Sequence, residues 1–257
     1  MRKNTKDKND IKYPSDKYVK FVNSLCGKYS PWEIWNDFIS LFAISLNNSI
    51  KHEHWMEREK QYLQIVEKYS SEEQNRMTEL AAMLINDMTH NMDYDYLGKA
   101  YMDLRINCNA KGQFFTPYHV SKMMAKLVDG DSIEEPIVIN EPTCGSGTNI
   151  IAMTNVLKER GFNYQQNAYF VAQDIDPLVA KMCYIQMSLL GISGVVLIGD
   201  TLANNTDEME HWYTPFHYMF GSQILSRCKQ AKQKVEKTED EMTNTDGDWL
   251  LELVGLA

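Results

Sequence analysis

Three acidic residues and a pair of glycines mark where this chain can do chemistry. Glu141-Pro142-Thr143-Cys144-Gly145-Ser146-Gly147-Thr148 follows directly on the apolar run Pro136-Ile137-Val138-Ile139 and opens a second apolar stretch. A strand that breaks on Gly-x-Gly and turns into a helix brings backbone N–H groups close to a ligand. Gly145 and Gly147 supply the tight turn, and Glu141 can accept hydrogen bonds from a cationic amine or a ribose. Two more carboxylates end apolar runs further on, Asp174 in Gln173-Asp174-Ile175-Asp176-Pro177 and Asp200 in Gly199-Asp200-Thr201-Leu202. The first can take both hydroxyls of a ribose; the second can accept from the exocyclic amine of a purine, with Leu202 over the ring. Each aspartate alone also suits a helix N-cap or a turn. Three acids in register on one rim of a sheet point instead to a nucleoside-type ligand.

The elements that must position these groups can be read from the periodicity. Ile137 to Asn140, Ala168 to Gln173 and Val195 to Ile198 read as strands, separated by helices over Thr148 to Arg160 and Pro177 to Leu190, the latter closed by Gly191. Thr116-Pro117 is expected to start a helix running through Leu127, and a fourth strand is expected near Phe216 to Phe220, followed by a helix over Ser222 to Lys237. Alternating strands and helices predict an open parallel sheet.

Upstream the pattern is helical. Ser30-Pro31-Trp32-Glu33 combines an N-cap serine, a first-turn proline and a capping-box glutamate, ahead of a stripe of Ile34, Phe38, Leu41 and Phe42. A second helix carries Trp55, Tyr62, Leu63, Val66 and Tyr69; a third, with Ser71 and Gln74 as its capping box, carries Met77, Leu80, Ala81, Leu84 and Met88; a shorter fourth spans Tyr94 to Leu104. The aromatics and methionines of these helices read as bundle core. The predicted organisation is a basic, flexible N-terminus over 1–29, a helical domain over 30–107, a cofactor-binding domain over 108–237, and an acidic linker with an apolar peg, Trp249 to Val254, over 238–257.

Composition removes several classes of function. At 257 residues and 44% hydrophobic the chain can bury a sizeable core, and no window approaches the ~18 uninterrupted apolar residues of a membrane helix. A cytosolic location without membrane contact is expected. Five cysteines, scattered and odd in number, read as reduced thiols and offer no CxxC metal site. His52 and His54, at i, i+2 on a helix, would not share a face, so no metal is expected. A net charge of −9 argues against autonomous, non-specific nucleic-acid binding, so DNA contact would need a partner or a local basic patch. The seven Lys and Arg of the first twenty residues are a candidate patch, though a solubilising tail is the simpler reading.

Gly112-Gln113-Phe114-Phe115-Thr116-Pro117, then Glu-Pro-Thr-Cys-Gly-Ser-Gly-Thr, Gln-Asp-Ile-Asp-Pro and Gly-Asp-Thr-Leu, in that order, resemble the cofactor half of adenine-N6 DNA methyltransferases. The likeness is to the modification subunits of type I restriction enzymes and to related phage or mobile-element proteins, and it runs from about Leu97 to Leu202. It implies a Rossmann-like α/β sheet, incomplete here, and S-adenosylmethionine as cofactor. By that resemblance Phe115, Thr116 and Pro117 lie near the methionine moiety and adenosine. Glu141, Thr143, Gly145 and Gly147 sit by the methionine part, Asp174 holds the ribose hydroxyls, Ile175 packs on the adenine, and Asp200 meets the adenine amine beside Leu202.

The catalytic motif of that family is missing. Adenine-N6 methylation needs acceptors that hold the target amine and an aromatic ring that stacks the flipped base. The family provides these as Asn/Asp-Pro-Pro-Tyr/Phe after strand four, and no such tetrapeptide occurs here. Tyr213-Thr214-Pro215-Phe216 keeps a proline and an aromatic but lacks the amide or carboxylate, and is expected to lead into strand four. No catalytic residue is therefore assigned. Two functions fit: an adenine-N6 methyltransferase that draws on a partner for catalysis and DNA, or an inactive S-adenosylmethionine-binding interaction or regulatory protein of a phage, plasmid or restriction-modification system. A nucleotide-binding module unrelated to methylation fits less well, since the chain has neither Gly-x-Gly-x-x-Gly nor a P-loop lysine.

Overall fold

A computed structural model describes residues 15–104, 114–128, 135–203 and 208–233. Five helices come first: α1 (Asp16–Leu25), α2 (Pro31–Asn47), α3 (Trp55–Val66), α4 (Ser71–His90) and α5 (Tyr96–Asp103). After α6 (Tyr118–Val128) the chain alternates as β1 (Ile137–Glu141), α7 (Thr148–Glu159), α8 (Tyr164–Asn167), β2 (Ala168–Asp174), α9 (Pro177–Leu189), β3 (Gly194–Ile198) and β4 (Glu210–Tyr213). A last helix, α10, covers residues 215–233 and widens into a π turn over His217–Gly221.

The sheet has the order β1-β2-β3-β4. The first three strands are parallel, with Ile137 opposite Ala168 and Phe170 opposite Gly194, whereas β4 runs antiparallel to β3, with Trp212 opposite Val196. Alternating side chains serve the two faces. Phe170, Ala172, Val196 and Ile198 pack with the buried residues of α7 and α9, while Tyr169, Val195 and Leu197 meet Ile224 of α10.

The helical region is continuous with the first of these faces. Trp35, Phe38, Ile39 and Ile44 of α2 belong to the same buried cluster as Met182, Cys183 and Tyr184 of α9. Arg58 of α3 ties the two parts polar to polar. It is 4% exposed, donates to the His211 carbonyl at 2.8 Å and to Asn47 Oδ1, and lies 3.9 Å over the Trp212 ring.

Several expectations need correction. Of the segment 1–29, expected to be a flexible tail, residues 1–14 lie outside the described residues, while Asp16–Leu25 forms α1, whose Tyr18 and Val22 are buried at an i, i+4 spacing; the charges around them masked the stripe. The capping box of α4 is Ser70 with Glu73, not Ser71 with Gln74: Ser70 has the extended backbone of an N-cap, and Gln74 donates instead to the carbonyls of Val66 and Tyr69. His52 and His54 precede α3 rather than lie on it, His54 taking the N-cap position. The fourth strand is Glu210–Tyr213, which returns antiparallel to β3 after eleven intervening residues, and Phe216 to Phe220 is helical. Gly112, Gln113, the linker over 238–248 and the peg Trp249 to Val254 lie outside the described residues.

Candidate cofactor site

Parallel strands end at one rim, and there the glycine turn is built. The Cys144 N–H donates to the Gln173 carbonyl at 2.7 Å, carrying the β1–β2 ladder into the loop. Gly145 has φ +52° and its N–H donates to Asp174 Oδ2 at 2.9 Å. Gly147 has φ +98° and caps α7; a Cβ on it would stand 3.0 Å from Cys183 Sγ. Glycine is required at both positions because L side chains rarely adopt such φ values.

The loop is anchored from behind by α5 and α9. Ser146 Oγ and Thr148 Oγ1 donate to Asp95 Oδ2 at 2.5 and 2.6 Å, and the Gly98 N–H donates to Asp95 Oδ1 at 2.8 Å. The neighbouring Cys183, together with burial, pushes the Cys144 thiol well above its ordinary range, which disfavours the thiolate form.

In front of the loop lies a cavity of about 290 Å³ lined by Phe114, Phe115, Thr116, Thr143, Cys144, Gly145, Ser146, Thr148, Asn149, Asp174 and Val179. Of the residues singled out in the sequence, Phe115, Thr116, Thr143, Gly145 and Asp174 thus come together in one wall. Glu141 borders it, with Oε2 accepting from Asn149 Nδ2 at 3.1 Å. Pro117 and Gly147 are next in sequence to wall residues but do not line the cavity. Ile175 and Leu202 stand outside it on the rim, 67% and 93% exposed, and Asp200 accepts from the Leu202 N–H in its own turn. The turns after β1 and β3 are tied where Thr201 Oγ1 donates to the Pro142 carbonyl at 2.6 Å.

Asn149 was not singled out in the sequence. Its Nδ2 is engaged by Glu141, and its buried Oδ1 has no hydrogen-bond partner. An orphan acceptor beside a carboxylate calls for a donor, and a cationic amine supplies one. Position two of a helix behind Gly-Thr is the only sequence signal that could have found it.

A roomier cavity, of about 750 Å³, lies between the start of α3 and β4, lined by His52, His54, Arg58, Glu210, His211 and Tyr218 among others. No glycine turn faces it, and its buried cation is already satisfied by Asn47, His211 and Glu210. The smaller cavity is therefore the candidate site. The remnant Tyr213-Thr214-Pro215-Phe216 lies at the opposite rim: it follows β4 instead of leading into it, and the Thr214 N–H donates to the Gly194 carbonyl at the start of β3. It cannot serve as the amine-holding loop of this site.

The model of the N-6 DNA methylase family matches residues 92–251, more than half of the chain. The chain belongs to that family. Relatives of this N-6 DNA methylase chain include two from Methanocaldococcus jannaschii. The type I restriction enzyme MjaVII methylase subunit is 27% identical over 145 residues, which are 53% of this chain and 24% of that protein. The MjaVIII methylase subunit is 34% identical over 119 residues, 43% of this chain and 19% of that one. The chain thus spans about a quarter or less of the length of these relatives. Among solved structures, a class I S-adenosylmethionine-dependent methyltransferase from Listeria monocytogenes aligns with TM-score 0.45 at 15% identity, over 75% of this chain and 55% of its own. A type I restriction modification subunit from Vibrio vulnificus YJ016 aligns with TM-score 0.34 at 18% identity, over 58% and 28%. At such scores neither likeness says anything of function.

Family membership implies S-adenosylmethionine as cofactor, and the residues fit it. The orphan Asn149 oxygen beside Glu141 suits an amine. Asp174 keeps accepting capacity, since a carboxylate has about four lone-pair sites and the Gly145 and Asp176 N–H groups occupy one on each oxygen. Exposed Ile175 and Leu202 suit the flat faces of a base.

Proposed function

We propose that this protein binds S-adenosylmethionine in the cavity before Gly145 and serves as the cofactor-binding part of a DNA adenine-N6 methyltransferase. The orphan acceptor Asn149 Oδ1, set beside Glu141 over a glycine turn, carries the reading. In the bound state Asn149 and Glu141 accept from the α-ammonium, and Thr116 and Thr143 border the methionine end. Asp174 accepts from the ribose hydroxyls, Asp200 from the adenine amine, and Ile175 and Leu202 enclose the ring. Bound there, the cofactor supplies an electrophilic methyl group. This chain's share is to orient it and, with Phe114 and Phe115, to exclude water from it.

Groups that hold the target amine are absent from the described rim, so methyl transfer draws on residues outside it, contributed by a partner subunit that also engages DNA. A partner suits the acidic chain, whose net charge of −9 disfavours unaided duplex binding. The second reading, a regulatory S-adenosylmethionine binder without activity, is favoured by the same missing motif.

Calorimetric titration with S-adenosylmethionine tests the core of the proposal, and saturable binding to one site per chain is expected. Labelled methyl transfer to mixed duplex DNA, by the protein alone and with cell extract, separates the two readings. Incorporation in either arm supports the enzyme, and binding without incorporation in both supports the regulator.

A further inference from the structure

Two parts of the cofactor cavity's wall are tied to one short connector. Residues 91–95 join α4 to α5, and two carboxylates on this stretch reach different partners. Asp95, buried, takes the hydroxyls of Ser146 and Thr148 and so holds the glycine turn. Asp93, at the surface, accepts from the Tyr118 hydroxyl through Oδ1 at 2.7 Å and from Lys122 Nζ through Oδ2 at 3.0 Å. Tyr118 opens α6, and only Pro117 separates it from the wall residues Phe114, Phe115 and Thr116.

The Tyr118 hydroxyl is fixed from two sides. It donates to Asp93 and accepts from Asn155 Nδ2 at 3.0 Å, and the same nitrogen donates to the Met92 carbonyl of the connector at 2.9 Å. Asn155 lies on α7, the helix that the glycine turn opens. Ala125 of α6 packs with Ala152 and Val156 of α7, and the Tyr118 ring lies against the same cluster. The Phe115 ring stands 5.6 Å from the Tyr101 ring of α5 and 3.2 Å from where a Cβ on Gly145 would be. The two parts of the wall thus meet at Phe115 and Gly145, while each is tied separately to the connector.

We infer that the 91–95 connector sets the gap of the cavity, with Tyr118 as the positioning residue that transmits the place of Asp93 to Thr116. Little slack lies between them. The Val120 and Ser121 N–H groups donate to the Pro117 carbonyl at 2.9 and 3.2 Å, closing the first turn of α6, and the Pro117 ring fixes its own φ. A displaced Tyr118 therefore moves Thr116. Tyr118 does not line the cavity, so it acts on a ligand only through that wall. The inference rests on the cavity being the S-adenosylmethionine site, and it adds that the helical region, through one connector, governs how the methionine end is held.

Calorimetry on the full chain tests it with Tyr118→Phe, which removes the hydroxyl and keeps the ring, and with Lys126→Met, which removes an ion pair to Glu159 from the same helix. The loss of one such hydrogen bond should weaken S-adenosylmethionine about fivefold in Tyr118→Phe. Methylthioadenosine, which lacks the amino-acid part, should lose less than about twofold in that variant, since Thr116 borders the methionine end. Lys126→Met should bind both ligands as the wild type does. Unchanged S-adenosylmethionine affinity in Tyr118→Phe overturns the inference, and so does an equal loss for the two ligands, because general loosening would not single out one end. A wild type that binds neither ligand removes the cofactor reading instead, and amide exchange of the unliganded chain then decides. The Val120 and Ser121 amides should exchange roughly threefold faster or more in Tyr118→Phe, with 168–174 unchanged; equal rates overturn the inference.

Discussion

Gln186 and Asp95 meet behind the glycine turn: Gln186 Nε2 donates to Asp95 Oδ1 at 2.9 Å, and the same nitrogen reaches the Ser146 carbonyl at 2.7 Å. Asp95 thus gathers donors from α5, α9 and both hydroxyls of the loop, all buried. Replacing it with alanine takes the carboxylate from Ser146 Oγ, Thr148 Oγ1 and the Gly98 N–H at once, and leaves Gln186 only the Ser146 carbonyl. Removing one buried partner of a charged hydrogen bond costs about 1.5 to 3 kcal/mol, so Asp95→Ala should lower stability by at least that much. Urea unfolding measures the loss. Calorimetry at a temperature where the variant is still folded should show weaker cofactor binding, because the loop has lost its post.

Asp174 differs from Asp95 in being at the cavity wall. Asp174→Ala should weaken S-adenosylmethionine by roughly 10- to 150-fold, the equivalent of about 1.5 to 3 kcal/mol. Part of that is loss of the Gly145 N–H anchor, so Asp174→Asn, which keeps an acceptor for the loop, should recover some affinity. A variant that binds like wild type would remove Asp174 from the ribose.

Gly147 tests the backbone alone. At φ +98°, with Cys183 Sγ 3.0 Å from a notional Cβ, alanine is both strained and crowded. Gly147→Ala should cost on the order of 1 to 3 kcal/mol and lower the melting midpoint. Adding Cys183→Ala, which makes room but leaves the φ, should recover only part of it.

His217 predicts a pH dependence. Its imidazole hydrogen-bonds Tyr169 Oη at 2.8 Å and stacks on Tyr213 at 4.4 Å, and burial pushes its pKa below the ordinary value. The unfolded chain therefore binds that proton first as pH falls. The stabilising contribution is full above about pH 6.5 and declines as pH drops toward the lower folded pKa. His52 shifts in the same direction, chiefly through burial. Denaturation midpoints should fall between pH 7.5 and 5.5, and His217→Gln should reduce the fall.

The three parallel strands and the turn at Gly145 were legible because apolar runs, glycines and prolines punctuate them without ambiguity. The carboxyl-end placement of Asp174 followed from the same pattern. Asp95, Asn149 and Gln186 were not legible, because their importance lies in contacts that only folding creates. Asp95 and Ser146 are 51 residues apart, and Asp95 alone reads as a simple N-cap. β4 was misplaced for a related reason. Glu210-His211-Trp212-Tyr213 buries little besides Trp212, so nothing local marked it as a strand, and the more apolar Phe216 to Phe220 drew the assignment.

The π turn at His217–Gly221 lodges one residue more than an α-helix would, between the Phe216 anchor on Ser193 and the Ile224 face on the sheet. An inserted residue in a regular helix would have swung that face by about 100°; the bulge absorbs it. Excising the half-exposed Met219 should leave an ordinary helix still seated on Tyr169, so this is a place where the chain can change length without changing register.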